Sequence, residues 1–79
     1  MFTYPNPTTD FINVFADFSE ETNAVLKIYN TTGQIVYTMN IDNTRQFEAQ
    51  LNVSQFTAGM YTIVIETYED TIVKPFIKR

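Results

Sequence analysis

Ala24-Val25-Leu26-Lys27-Ile28-Tyr29-Asn30-Thr31-Thr32-Gly33 is the stretch that decides the fold. Its first six residues alternate, with Ala24, Leu26 and Ile28 on one side and Lys27 on the other, the period-two signature of a half-buried strand. The next four are a turn with a mechanism. Asn30 tolerates turn geometry and Gly33 supplies the positive φ that closes a short hairpin or a G1 bulge.

The same alternation extends outward in both directions. Upstream, Phe11-Ile12-Asn13-Val14-Phe15-Ala16 predicts a strand with Ile12, Val14 and Ala16 on one face, followed by a polar loop from Asp17 to Asn23 in which Phe18 tucks under the sheet. Downstream, a strand from Gln34 to Met39 precedes a polar turn from Asn40 to Arg45. Gln46 to Leu51 then turns Phe47, Ala49 and Leu51 inward, Met60 to Glu66 aligns Tyr61, Ile63 and Ile65, and Thr71 to Ile77 forms the last strand. Pro75 fits there only at a sheet edge, or with its missing N–H facing away from a neighbour. Helical spacing is never sustained. Short strands separated by polar turns predict an all-β sandwich of roughly six or seven strands. The expected core is Ile12, Val14, Leu26, Ile28, Val36, Phe47, Leu51, Tyr61, Ile63 and Ile65.

Composition narrows the chemistry. The 79 residues include no cysteine and no histidine, which removes zinc-finger sites, disulfide frameworks and His-dependent catalytic triads. A chain of this length holds one core. The net charge of -4 argues against nucleic acid, whose binders present a basic face. No apolar run approaches the roughly 20 residues of a membrane span, and Met1 to Pro5 lacks the features of a signal peptide. No catalytic, metal or cofactor site is expected, and the domain reads as non-enzymatic. Adjacent carboxylates at Glu20-Glu21 and Glu69-Asp70 read as solvated turns. Asn30-Thr31-Thr32 and Asn52-Val53-Ser54 fit the glycosylation sequon, but their residue choice already serves turns.

Two local motifs stand out. In Tyr4-Pro5-Asn6-Pro7 the prolines fix φ and drive Tyr4 and Asn6 toward extended conformations, predicting a stiff bend that leads into the domain. Leu51 to Tyr61, with Gly59 two residues before Tyr61, has the form of a tyrosine corner, in which the phenol bonds back to upstream backbone.

Together these segments resemble the type A C-terminal sorting domain of the type IX secretion system. The resemblance rests on Tyr4-Pro5-Asn6-Pro7 with Asp10, Leu26 to Tyr29 leading to Thr32-Gly33, Leu51 to Phe56 leading to Gly59-Met60-Tyr61, and Lys74 to Arg79 with its basic end. Phe56 stands where leucine is commoner in that family. The resemblance implies an all-β fold, an Ig-like antiparallel β-sandwich of about seven strands, and implies that residues 1–79 are a sorting domain cut from the C-terminus of a larger protein of Bacteroidetes-type bacteria. The cargo lies N-terminal in cis, with the signal peptide on that part, and reaches the cell surface or medium through the periplasm. The implied partners are the outer-membrane translocon and a cell-surface sortase, with no membrane insertion. Pro5, Asn6, Pro7, Gly33, Gly59, Tyr61, Lys78 and Arg79 match the family's signal motifs. An exposed last strand offers backbone for β-augmentation, with Lys78 and Arg79 as a charged anchor. The alternative from another class is a fibronectin-like or Ig-like accessory module that binds carbohydrate or serves adhesion.

Overall fold

The alternating segments are extended chain in the structure, a computed structural model that describes residues 1–79. Its strands are β1 (Phe2–Tyr4), β2 (Phe11–Tyr29), β3 (Ile35–Asn52), β4 (Gly59–Glu66) and β5 (Thr71–Lys78), with no helix. The all-β class holds, but the strands number five rather than about seven. The difference lies in two places. The loop expected over Asp17 to Asn23 and the turn expected over Asn40 to Arg45 both lie inside strands, because the β2–β3 ribbon runs on through them: Asp17 pairs with Gln46, Thr22 with Thr44, and Ala24 and Val25 with Ile41 and Asn40. Polar side chains that face water do not oppose a strand whose backbone groups find partners across the ladder.

That ribbon cannot be straight. The 19 residues of β2 at about 3.3 Å per residue would span roughly 60 Å, whereas the molecule is 35 Å in its longest dimension. The bend falls where the register slips, between Asp17↔Gln46, Thr22↔Thr44 and Ala24↔Ile41. Extra residues on one strand of a pair kink and twist it. Asn43, opposite this slip, has a φ of 36°, and its N–H donates to Asn23 Oδ1 at 2.6 Å.

Neighbouring strands are antiparallel and β2 is central. β3 runs along one side of it; on the other side β1 pairs with Asn13–Phe15 and β4 with Val25–Tyr29, and β5 lies beyond β4. The connection from Val53 to Ala58 carries the chain from the β3 side of β2 to the β4 side. It is anchored by Val53 N–H on Asp10 O at 2.8 Å, and Asn52 Oδ1 accepts the Ser54 N–H at 2.9 Å.

One core follows from one face. Ile12, Val14 and Ala16 in the leading half of β2 and Ala24, Leu26 and Ile28 in its trailing half all occupy even positions, and all are buried in a single cluster. The sheet therefore curls toward that face, so that its two halves share Leu51, Ile41, Tyr61, Ile63, Ile65 and Phe76. Each such side chain, fully buried, contributes about 1.5–3 kcal/mol against the entropy of ordering the chain. Phe47 and Phe18 are partly buried against this cluster.

Val36 is a correction. It is 38% exposed rather than in the core. The register steps from Tyr29↔Ile35 to Ile28↔Tyr37, which leaves Val36 without a partner and turns Tyr37, Met39 and Ile41 inward instead. Pro75 meets both conditions set for it. β5 is an edge strand that pairs with β4 without interruption from Thr71 to Lys78. Ile77 directs its N–H away from β4, so the nitrogen of Pro75, two residues earlier, faces the same open side.

Candidate recognition surface

The two X–Pro bonds of Tyr4-Pro5-Asn6-Pro7 are cis, and the segment carries the chain from β1 to the outer edge of β5. There Asn6 Oδ1 accepts the Ile77 N–H at 2.9 Å, across 71 residues of sequence. Thr8 donates its N–H to Ile77 O at 2.9 Å and accepts the Arg79 N–H on its own carbonyl at 2.8 Å. These bonds make a parallel bridge between Thr8 and Lys78. Thr8 is 2% exposed, and its hydroxyl donates to Phe11 O. The lead-in bend and the basic end thus form one clasp.

Lys78 differs from the exposed anchor expected of it. The residue is buried, and its Nζ donates to the Arg79 backbone oxygen at 2.6 Å, so only Arg79 of the basic pair is exposed. Strand alternation explains this: Phe76 and Lys78 share the inward face of β5, and Ile77 and Arg79 the outward one. The β5 edge is likewise unsuited to augmentation at this end, because the backbone groups of Ile77 and the Arg79 N–H already bond to Asn6 and Thr8.

Gly59 pairs with Lys78 across the β4–β5 ladder, and Tyr61 with Phe76. The Tyr61 hydroxyl donates to Thr57 O at 2.7 Å, the bond back to upstream backbone that defines a tyrosine corner. Its ring lies between Phe56, with centroids 5.0 Å apart, and Phe76 at 5.5 Å. Gly33 sits elsewhere, in the β2–β3 turn. Its φ of 85° and its N–H on Asn30 O at 3.1 Å, with Asn30 N–H on Gln34 O at 3.0 Å, make the G1 bulge. Asn30 Oδ1 also accepts from the N–H groups of Thr32 and Gln34.

Of the eight motif residues, Pro5, Asn6, Pro7, Gly59, Tyr61, Lys78 and Arg79 therefore gather on the clasp and the two strands beneath it. Gly33 makes no hydrogen bond to any of them. Sequence reading missed Thr8, which supplies two of the clasp's backbone bonds; no periodicity marks it, and only its place directly after Pro7 hints at a fixed conformation. The surface depressions lie away from the clasp, lined by the polar bend at Asp17–Thr22 and Asn40–Gln46 and by the β4–β5 turn. What this end of the molecule presents is a hydrogen-bonded surface away from the depressions.

A family model described as a secretion system C-terminal sorting domain matches residues 3–79. No curated protein and no solved structure matches the chain in the corresponding comparisons.

Proposed function

The chain belongs to the family of secretion system C-terminal sorting domains and is a sorting signal for type IX secretion; on that premise we propose that the clasp is the part of the signal the export machinery reads. Membership implies a cargo that is secreted or displayed on the cell surface, and interaction with the type IX machinery as the tail of that cargo. The finer assignments are ours. Residues 1–79 act as one domain attached to an N-terminal cargo, the outer-membrane translocon recognises it, and a cell-surface sortase acts after passage. Pro5, Asn6, Pro7, Gly59, Tyr61, Lys78 and Arg79 set the shape and charge of the recognised end, while Gly33 fixes the hairpin that supports it.

The observation that carries this reading is the hydrogen bond from Ile77 N–H to Asn6 Oδ1, which joins the two motifs most distant in sequence. A signal displayed on unrelated cargoes needs a surface that does not depend on the cargo, and a clasp built from the domain's own two ends meets that need. We read the curled sheet as Ig-like in the same spirit. The bent β2 and β3 each contribute to two layers, with three strand segments in one layer and four in the other. Nothing in the family match supports the alternative of an accessory binding module.

The test fuses residues 1–79 to a periplasmic reporter in a bacterium with the type IX system. The fusion is expected in the medium or on the cell surface, and Arg79→Ala, which keeps every backbone bond of the clasp, is expected to lower export. Retention of the intact, folded parent fusion in the periplasm overturns the sorting reading. Full export of Arg79→Ala removes the charge from the recognised feature.

A further inference from the structure

An edge strand recruits another strand only where its outward N–H and C=O groups are free and nothing repels the newcomer. This molecule has three edges, and two are closed. β1 has only three residues. β5 is occupied at Ile77 and Arg79 by the clasp, and immediately before that Pro75 presents a nitrogen without hydrogen on the same side. β3 is different: it pairs with β2 alone, and no hydrogen bond reaches Ile35 to Ile41 from any other element.

The ladder fixes which groups of β3 are free. Thr67 N–H on Asp70 O closes the β4–β5 turn and sets the alternation, so that Tyr61, Ile63 and Ile65 bond β5 while Thr62, Val64 and Glu66 bond β2. Val25, Lys27 and Tyr29 therefore direct their backbone groups to β4, and Leu26 and Ile28 direct theirs to β3, opposite Met39 and Tyr37. Thr38 and Asn40 are left with N–H and C=O turned outward. The run around them, Ile35-Val36-Tyr37-Thr38-Met39-Asn40-Ile41, holds no charge and no proline and is rich in β-branched residues. Natural edges usually carry a lysine, a proline or another such guard. The chain puts its guards on β5 and leaves this run without one.

We propose that the outer edge of β3 from Ile35 to Ile41 is the docking edge for an extended, uncharged strand of the export machinery, which adds antiparallel or parallel to Thr38 and Asn40. This rests on the sorting reading above and supplies the mode of contact. Main-chain bonds give affinity that does not depend on the cargo. The exposed side chains of Ile35 and Val36 give the incoming strand an apolar contact at one end.

Thr38→Pro removes one outward N–H without touching the β2 ladder, as Pro75 does on β5. Val73→Pro makes the same change on the outward side of β5 and serves as control. Each is made in the fusion of residues 1–79 to a periplasmic reporter, with thermal unfolding of the purified protein measured alongside. The expected result is a fall in export of tenfold or more for Thr38→Pro with the fold retained, and export near the parent level for Val73→Pro. Thr38→Lys, which keeps the N–H and guards the edge with charge, is expected to follow Thr38→Pro and replaces it if the proline variant does not fold. Parent-level export of folded Thr38→Pro or Thr38→Lys, with the parent fusion exported, overturns the docking edge and leaves the sorting reading intact. Failure of the parent fusion itself refutes the sorting reading instead. Sedimentation that shows a parent dimer abolished by Thr38→Lys, with export unchanged, assigns the edge to a second copy and also overturns the proposal.

Discussion

Asn6→Ala tests whether the clasp behaves as one unit. The substitution removes the acceptor of the Ile77 N–H, a bond of 2.9 Å between two exposed residues. Water reaches the freed N–H, so the loss is that of an ordinary hydrogen bond without a buried orphan, about 0.5–1 kcal/mol. For a domain of this size that lowers Tm by roughly 2–8 °C. Deleting Arg79 removes two other bonds, its N–H on Thr8 O and the Lys78 Nζ bond to its backbone oxygen. If the lead-in segment docks on β5 as a unit, releasing it at Asn6 weakens what Arg79 gains from Thr8, and the double variant departs from additivity by about 0.5 kcal/mol or more. Urea unfolding of the parent, the two single variants and the double variant measures the coupling, and amide exchange at Ile77 reports the local opening. Effects that add within about 0.3 kcal/mol, with Ile77 exchange unchanged in Asn6→Ala, refute the clasp as a cooperative element.

Three further outcomes are expected. Tyr61→Phe keeps the ring between Phe56 and Phe76 but loses the bond to Thr57 O, costing about 1 kcal/mol, whereas Tyr61→Ala opens a cavity and costs about 3–5 kcal/mol by the same urea measurement. Gly33→Ala meets no atom within 4 Å but must hold a φ of +85°, so it destabilises by about 1–2 kcal/mol, and Gly33→Asn by less. The Lys27–Glu66 pair at 3.4 Å is partly exposed, so Lys27→Met changes stability by no more than about 1 kcal/mol and reduces its dependence on salt concentration.

The face of each strand was legible wherever the ladder is regular. Ile12, Val14, Leu26, Ile28, Ile63 and Ile65 follow from period two alone, and the Tyr61 bond follows from the spacing of Gly59 and Tyr61. What escaped was set by pairing rather than by local pattern. Val36 lost its place to a one-residue slip opposite Ile28, invisible until the partner strand is known. Asp17–Asn23 reads as a loop and Asn40–Arg45 as a turn because each alone is polar, and only the ladder that runs through them, Asp17↔Gln46, Thr22↔Thr44 and Ala24↔Ile41, places them inside strands. Lys78 reads as an exposed anchor because charge usually seeks water, yet strand alternation beneath the clasp turns it inward. Thr8 carries no signal because the partners of its backbone lie some seventy residues away.

The ribbon of β2 and β3 also imposes an order of assembly. Its turn at Asn30–Gly33 brings neighbours in sequence together first, and each further pair closes little additional loop. β4 and β5 join by short connections, whereas the clasp has to unite Asn6 and Thr8 with Ile77 and Arg79 across nearly the whole chain, the contact with the largest closure entropy and the last to become possible. Its formation therefore reports completeness. A chain cut short before Ile77 leaves Asn6 Oδ1 and the Thr8 backbone without the partners that close the clasp, and the address at its end stays unwritten.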